Sequence, residues 1–215
     1  MKCILAGSSG LIGGFLLKEL EKDDAFKEII IIVRRKVEIK SSKTTQIIFD
    51  FDYDKVYQNL PEVDVVFCCL GTTIKIAKSK ENFRKVDFQY PLKLGELVKT
   101  KTFCLVSSMG ANAHSRIFYS KTKGELEDKL KKLNFTTLFI FRPSQLTGKR
   151  KIIRKNELYS EKFLSFINVL IPKNYRLIQA KTVAKAMKII SKNNLKGINI
   201  FLSDKIKQIV INENN

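Results

Sequence analysis

An apolar strand that runs straight into glycines and out into an amphipathic helix leaves a chain few architectures to choose from. Ile4-Leu5-Ala6-Gly7-Ser8-Ser9-Gly10-Leu11-Ile12-Gly13 is such a stretch. A turn this tight needs glycine for two reasons: some positions require positive φ, and a Cβ would keep the backbone from closing on a pyrophosphate. The unpaired amides at the start of the following helix, Leu11 to Glu21, and the dipole behind them favour an anion. Gly7, Gly10 and Gly13 are spaced G-x-x-G-x-x-G rather than G-x-G-x-x-G. Taken alone, the loop is open to two readings, a phosphate cradle or only a tight strand-to-helix turn, because short glycine motifs recur by chance.

The segments downstream of this loop place more chemistry at the same edge. Ile29-Ile30-Ile31-Ile32-Val33 is the continuous β-branched run of a parallel strand covered on both faces. It ends in Arg34-Arg35-Lys36, about 20 residues beyond the last loop glycine, where dinucleotide folds place the group that reads the adenosine ribose. An acidic residue there would bind a free 2′-hydroxyl. Two arginines instead offer planar forks to a 2′-phosphate, so the sequence favours NADP(H) over NAD(H). A third strand, Gln46 to Phe49, leads to Asp50, which either touches the adenine or caps a short segment through Asn59. A fourth, Val65 to Leu70, ends at Gly71-Thr72-Thr73 and with the first loop would frame the crevice at a topological switch point.

Ser79 to Thr100 reads as helical with an interruption at Pro91, and strand five, Thr102 to Val106, delivers Ser107-Ser108 to the ligand edge. Tyr119 and Lys123 then stand one helical turn apart on one face. A tyrosine is a poor base at neutral pH unless a nearby cation stabilises the phenolate. In this reading Lys123 supplies that charge and bonds the nicotinamide ribose, Ser108 holds a substrate oxygen, and Tyr119 transfers the proton that accompanies hydride transfer. A sixth strand, Phe135 to Phe141, exits through Arg142-Pro143-Ser144-Gln145-Leu146. Beyond a basic stretch, Lys149 to Lys155, the pattern predicts helices over Glu161 to Ile171, ending at Pro172, and over Gln179 to Lys192. A last strand over Gly197 to Leu202 and a frayed tail from Asn212 to Asn215 complete it.

Composition bounds the rest. At 215 residues the chain suits one α/β domain, a core over 1–148 with a small cap over 149–215 completing it. Lys and Arg total 40 against 21 acidic residues, a net charge of +19, but the lysines are dispersed and no nucleic-acid motif accompanies them, so specific nucleic-acid binding is not expected. Cys3, Cys68, Cys69 and Cys104 lie in apolar runs without zinc-site spacing and read as reduced core residues, with no metal centre. No apolar run spans a membrane and no signal-peptide pattern opens the chain, so the expectation is a cytoplasmic monomer or homodimer.

Together these motifs resemble the atypical short-chain dehydrogenase/reductases with the G-x-x-G-x-x-G loop, and within them the Tat-interacting oxidoreductase-like proteins. The matching residues are Gly7 to Gly13, Val33-Arg34-Arg35-Lys36, Phe67 to Thr73, Val86-Asp87, Ser107-Ser108, Tyr119 with Lys123-Gly124-Glu125, and Phe141-Arg142-Pro143. The resemblance implies a Rossmann-like doubly wound parallel sheet in the order 3-2-1-4-5-6 plus a final strand. It implies Ser9, Gly10, Leu11 and Ile12 along the pyrophosphate, Arg34 and Arg35 on the 2′-phosphate, and Leu70 and Gly71 under the cofactor. Tyr119 and Lys123 would meet the nicotinamide ribose, and Leu146 with Arg154 would close the far side. Two departures stand out: Ser144 where relatives often carry glycine, and Asp87 where many extended members carry asparagine. The expected activity is NADPH-dependent oxidoreduction of a small carbonyl or nucleotide-sugar-like substrate. The alternative is a non-catalytic NADPH-binding regulatory or protein-interaction protein.

Overall fold

Strands whose successive side chains are all apolar must be covered on both faces, and the chain meets that demand with two helical layers around one parallel sheet. The computed structural model of the protein describes residues 1–52, 60–147 and 176–213. Strands β1 (Lys2–Ala6), β2 (Glu28–Val33), β3 (Thr44–Ile48), β4 (Val65–Cys68), β5 (Thr102–Val106), β6 (Thr137–Arg142) and β9 (Gly197–Leu202) form a sheet in the order β3-β2-β1-β4-β5-β6-β9, every pairing parallel. This is the Rossmann-like α/β topology read from the sequence.

Alternation along each strand sorts the core into two halves. Cys3, Leu5, Ile29, Ile31, Phe67, Cys104 and Phe139 face one side, against Leu16 and Leu20 of α1 (Leu11–Lys22) and Val183, Met187 and Ile190 of α6 (Ala180–Ser191). Ile4, Ala6, Ile30, Ile32, Val66, Phe103, Leu105 and Ile140 face the other. There they meet Leu94 of α4 (Tyr90–Leu97) and Leu126 and Leu130 of α5 (Phe118–Leu130).

Several boundaries differ from the sequence reading, each for a physical reason. The helical break expected at Pro91 lies before it: α2 (Ile74–Ala77) and α3 (Lys80–Arg84) are followed by a π-helical turn, Lys85–Gln89, and Pro91 is the second residue of α4. Proline has no N–H to give to the carbonyl four residues back, so the ladder widens on its N-terminal side. That turn leaves Asp87 1% exposed. Phe135 stacks on Phe103 with ring centroids 5.0 Å apart, so β6 starts later than expected, at Thr137. Of the tail expected to fray from Asn212, Asn212 and Glu213 lie in α7 (Ser203–Glu213), whose Ile206, Ile209 and Val210 repeat at helical spacing and pack on the α1–α6 side of the core, and Asn214 and Asn215 lie outside the described residues. A two-stranded parallel sheet, β7 (Leu146–Thr147) with β8 (Ile178–Gln179), was not legible in the sequence. The helix expected over Glu161 to Ile171, the stretch Lys149 to Lys155, Arg154, the segment through Asn59 and the core–cap boundary at 148 lie outside the described residues.

Candidate functional site

The carboxyl ends of β1 and β4 are neighbours across the switch point, and the loops leaving them are in direct contact. Gly7 has φ +87°, and a Cβ built on it would fall 2.6 Å from the carbonyl carbon and oxygen of Cys69. A Cβ on Gly13 would fall 2.1 Å from the Gly7 carbonyl oxygen, so α1 packs directly onto the loop before it. The Gly10 amide donates to the Gly7 carbonyl at 2.9 Å. Gly10 caps α1 without a side-chain hydrogen bond, and the first turn carries no acidic residue. The amides of Leu11, Ile12 and Gly13 are therefore free of a side-chain cap, the condition an anion site at a helix N-terminus requires. The Ile12 side chain is 6% exposed and belongs to the core, which leaves its backbone as the group available to a ligand.

Arg34 and Arg35 are exposed just beyond the end of β2. Asp50 is exposed, and its Oδ1 accepts from the Asp52 amide at 3.0 Å, while the segment it was expected to cap lies outside the described residues. Asp52 in turn accepts from the Tyr90 hydroxyl at 2.8 Å, and Phe51 stacks on the Tyr90 ring at 5.0 Å. The Tyr90 hydroxyl holds Asp52 below the usual carboxylate range, joined by the Lys85 ammonium.

Strand β5 delivers both serines, and the structure separates their roles. Ser107 donates from Oγ to Glu127 Oε1 in the interior, while Glu127 also takes Nε and Nη2 of Arg142 in a bidentate pair. Ser108 Oγ is buried and has no hydrogen-bond partner among the described residues. Ser108 and Tyr119 line one cleft of about 470 Å³ together with Met109, Gly110, Pro143, Ser144 and Gln145. The Tyr119 ring is braced by Phe83, 5.4 Å away between centroids. Ser144 lines this cleft and ties the loop after β6 to its neighbours: its amide donates to Ser203 Oγ, at the start of α7, at 2.8 Å and its hydroxyl to the Arg176 carbonyl. Leu146 is half-buried and pairs with Ile178 across the small sheet.

Lys123 has a partner that the sequence reading did not name. Its Nζ lies 2.8 Å from Asp87 Oδ1, with the two side chains 4% and 1% exposed. Asp87 Oδ2 accepts from the Thr72 amide at 2.7 Å. A Cβ on Gly71 would come 3.3 Å from Asp87 Oδ1 and 3.7 Å from Lys123 Nζ, so the pair sits directly beneath the Gly71 turn. Burial pushes the Lys123 ammonium down, but the charges of Asp87 and Tyr119 outweigh it and hold the group above the ordinary lysine value. Lys123 therefore shares its charge between a carboxylate and the phenol instead of directing it at the phenol alone.

Sequence reasoning missed Asp87 as the partner of Lys123 and Glu127 as the partner of Ser107 and Arg142. A signal for Glu127 was present, since Tyr119, Lys123 and Glu127 repeat every four residues on one helical face. The cysteines stand as expected: all are free, and burial pushes the thiols of Cys3 and Cys68 up to about 12. Among the described residues no cluster suits a metal ion, and no helix is long and apolar enough to cross a membrane.

Comparison with known proteins agrees with this architecture. The HIM1 family model matches residues 26–177. Protein HTATIP2 of Rattus norvegicus is 35% identical over 190 residues, 85% of this chain and 78% of that protein. Protein FMP52 of Candida albicans, named mitochondrial, is 37% identical over 159 residues, 70% of this chain and 69% of its own. Further yeast FMP52 relatives carry the same description, which overturns the expectation of a cytoplasmic protein. Among solved structures, the oxidoreductase ylbE from Lactococcus lactis shares the fold with a TM-score of 0.69 at 22% identity, over 99% of this chain and 96% of that one. The human epimerase family protein SDR39U1, solved with NADPH, gives a TM-score of 0.65 at 14% identity over 94% and 74%. Most of the chain is thus accounted for by one line of descent, and the protein belongs to the HIM1 family and is similar over most of its length to HTATIP2.

Proposed function

We propose that the protein binds NADPH across the β1–β4 crevice and reduces a small carbonyl or nucleotide-sugar-like substrate in the cleft beside Tyr119. The observation that carries this reading is the orphaned Ser108 hydroxyl, buried in a cleft it shares with a tyrosine. A buried polar atom without a partner is destabilising unless a ligand completes it.

The residues present fit a dinucleotide. Gly7, Gly10 and Gly13 keep Cβ atoms out of the loop, and the free amides of Leu11, Ile12 and Gly13, with Ser9 beside them, suit the pyrophosphate. Arg34 and Arg35 suit the 2′-phosphate, Asp50 the adenine side, and Leu70, Gly71, Thr72 and Leu146 the nicotinamide side. When bound, NADPH supplies the hydride. Ser108 would orient the substrate oxygen, Tyr119 would donate a proton to it, and Lys123, fixed by Asp87, would hold the nicotinamide ribose and stabilise the phenolate left by proton transfer. Solved structures of the same fold include an epimerase family protein with NADPH and MoeE5 with UDP-glucose and NAD.

The second reading, a cofactor-loaded regulatory or interaction protein without turnover, is favoured by the Lys123–Asp87 pair, because a compensated ammonium does less for the phenol. Ligand-induced stabilisation and turnover separate the two. The oxidoreductase reading expects NADPH at 100 times its Kd to stabilise the fold by about 2.7 kcal/mol, with NADH well behind at the same concentration. It also expects Tyr119→Phe to keep NADPH binding and lose turnover on a carbonyl panel. Equal responses to the two cofactors would remove the arginine argument, and a wild type inert on the panel would favour the regulatory reading.

A further inference from the structure

The basic turn at the end of β2 is suspended between Phe49, just past β3, and Gln46 within it. At its start, the Val33 carbonyl accepts from the Phe49 amide at 2.8 Å. At its end, the Gln46 side chain grips both sides of one residue: the Val37 amide donates to Gln46 Oε1 at 2.9 Å, and Gln46 Nε2 donates to the Val37 carbonyl at 2.9 Å. Arg34, Arg35 and Lys36 lie between these anchors, all exposed. Neither guanidinium makes a hydrogen bond or an ion pair with a described residue. Val37 is itself 39% exposed, so burial does little to hold the turn shut.

We infer that Gln46 is a positioning residue for the 2′-phosphate: its carboxamide closes the Arg34–Lys36 turn and presets the two guanidinium groups for a phosphate dianion. This rests on the NADPH reading above. A carboxamide has one acceptor and one donor in a plane, as a peptide does, so Gln46 pairs with Val37 as an additional strand residue would. It thereby turns the chain back along β3, whose register sets Gln46 opposite Ile31. A turn fixed before binding spares the ligand the ordering of three backbone residues and two long side chains. The gain falls on ligands that carry the 2′-phosphate and passes over those that lack it.

The test uses the full chain and two variants, Gln46→Met, which keeps length and removes the carboxamide, and Gln46→Glu, which keeps the acceptor and removes the donor. Dissociation constants are measured by calorimetry for NADPH, NADH and adenosine 2′,5′-bisphosphate, with hydrogen exchange at the Val37 amide as the direct readout of the clasp. In Gln46→Met, Val37 protection should fall. NADPH and adenosine 2′,5′-bisphosphate should weaken about tenfold, equivalent to about 1.4 kcal/mol, while NADH changes by less than about twofold. In an Arg34→Ala/Arg35→Ala background the same substitution should have no further effect on NADPH. Equal weakening of NADPH and NADH, or full additivity with the arginine substitutions, would overturn the positioning role and leave Gln46 a structural residue. If the arginine substitutions alone leave the NADPH-to-NADH ratio unchanged, the phosphate reading of the turn fails, and the inference falls with it for that separate reason.

Discussion

Replacing Asp87 with alanine leaves the Lys123 ammonium, whose side chain is 4% exposed, in the interior without its counter-charge. Removing one partner of a buried ion pair costs about 3–5 kcal/mol, because the surviving charge stays desolvated. The Thr72 amide also loses the acceptor it holds at 2.7 Å. For a chain of this length each kcal/mol moves the melting temperature by about 2–4 °C, so Asp87→Ala should melt roughly 6–20 °C lower than the wild type. The pH dependence gives the argument a sign. The folded protein holds Lys123 above the ordinary 10.5, so the pair's contribution is complete below about that pH and is lost as pH rises through the folded value. In Asp87→Asn the amide keeps an acceptor for Thr72 but removes the charge. Burial then acts unopposed by Asp87, the ammonium titrates below its ordinary value, and this group's contribution rises with pH instead of falling. Chemical denaturation between pH 7 and 11 reads both effects. An alanine variant within about 1 kcal/mol of the wild type, or an asparagine variant with an unchanged alkaline slope, would refute the reasoning.

Three further substitutions probe other parts of the structure. Gly13→Ala would set a Cβ 2.1 Å from the Gly7 carbonyl oxygen, a clash with the backbone, whereas Gly14→Ala meets Ser8 O at 3.3 Å, a tight contact that a shift of a few tenths of an ångström relieves. Thermal unfolding and NADPH titration should therefore show the first variant unable to form the loop and the second close to wild type. Glu127→Ala strips Arg142 and Ser107 of their common acceptor and should destabilise the protein by about 3 kcal/mol in urea unfolding, near the low end because the Arg142 side chain is 22% exposed. Burial pushes Asp23 up, but its hydrogen bonds to Lys192 and the Ala25 amide, with the charges of Lys192 and Lys188, leave it below 3.8. Its contribution is therefore present above about pH 3.8 and is lost as pH falls through the folded value. Asp23→Asn should flatten the acid limb of the stability curve there, as an acid titration followed by circular dichroism would show.

What the sequence determined by itself was whatever short-range pattern encodes. Uninterrupted β-branched runs such as Ile29 to Val33 call for strands covered on both faces. The three loop glycines call for a close approach, which Gly7 and Gly13 make. Tyr119 and Lys123 had to share a helical face once they lay in one helix. Strand-final serines had to reach one end of the sheet, and Ser108 could be singled out there, but only the fold showed that Ser107 is taken by Glu127 while the buried Ser108 hydroxyl has no partner among the described residues.

Tertiary structure alone decided the partners of charged groups, because those partners come from segments distant in the chain and no local period relates them. Asp87 meets Lys123 only because a π turn before Pro91 points one acid inward beneath the Gly71 loop. Gln46 meets Val37 only because the basic turn folds back along an edge strand. Local sequence sets which groups reach the rim of the sheet. Burial decides which of those charges are compensated and which are left for a ligand, since in a low dielectric a cation is held by whatever carboxylate the fold brings within a few ångströms.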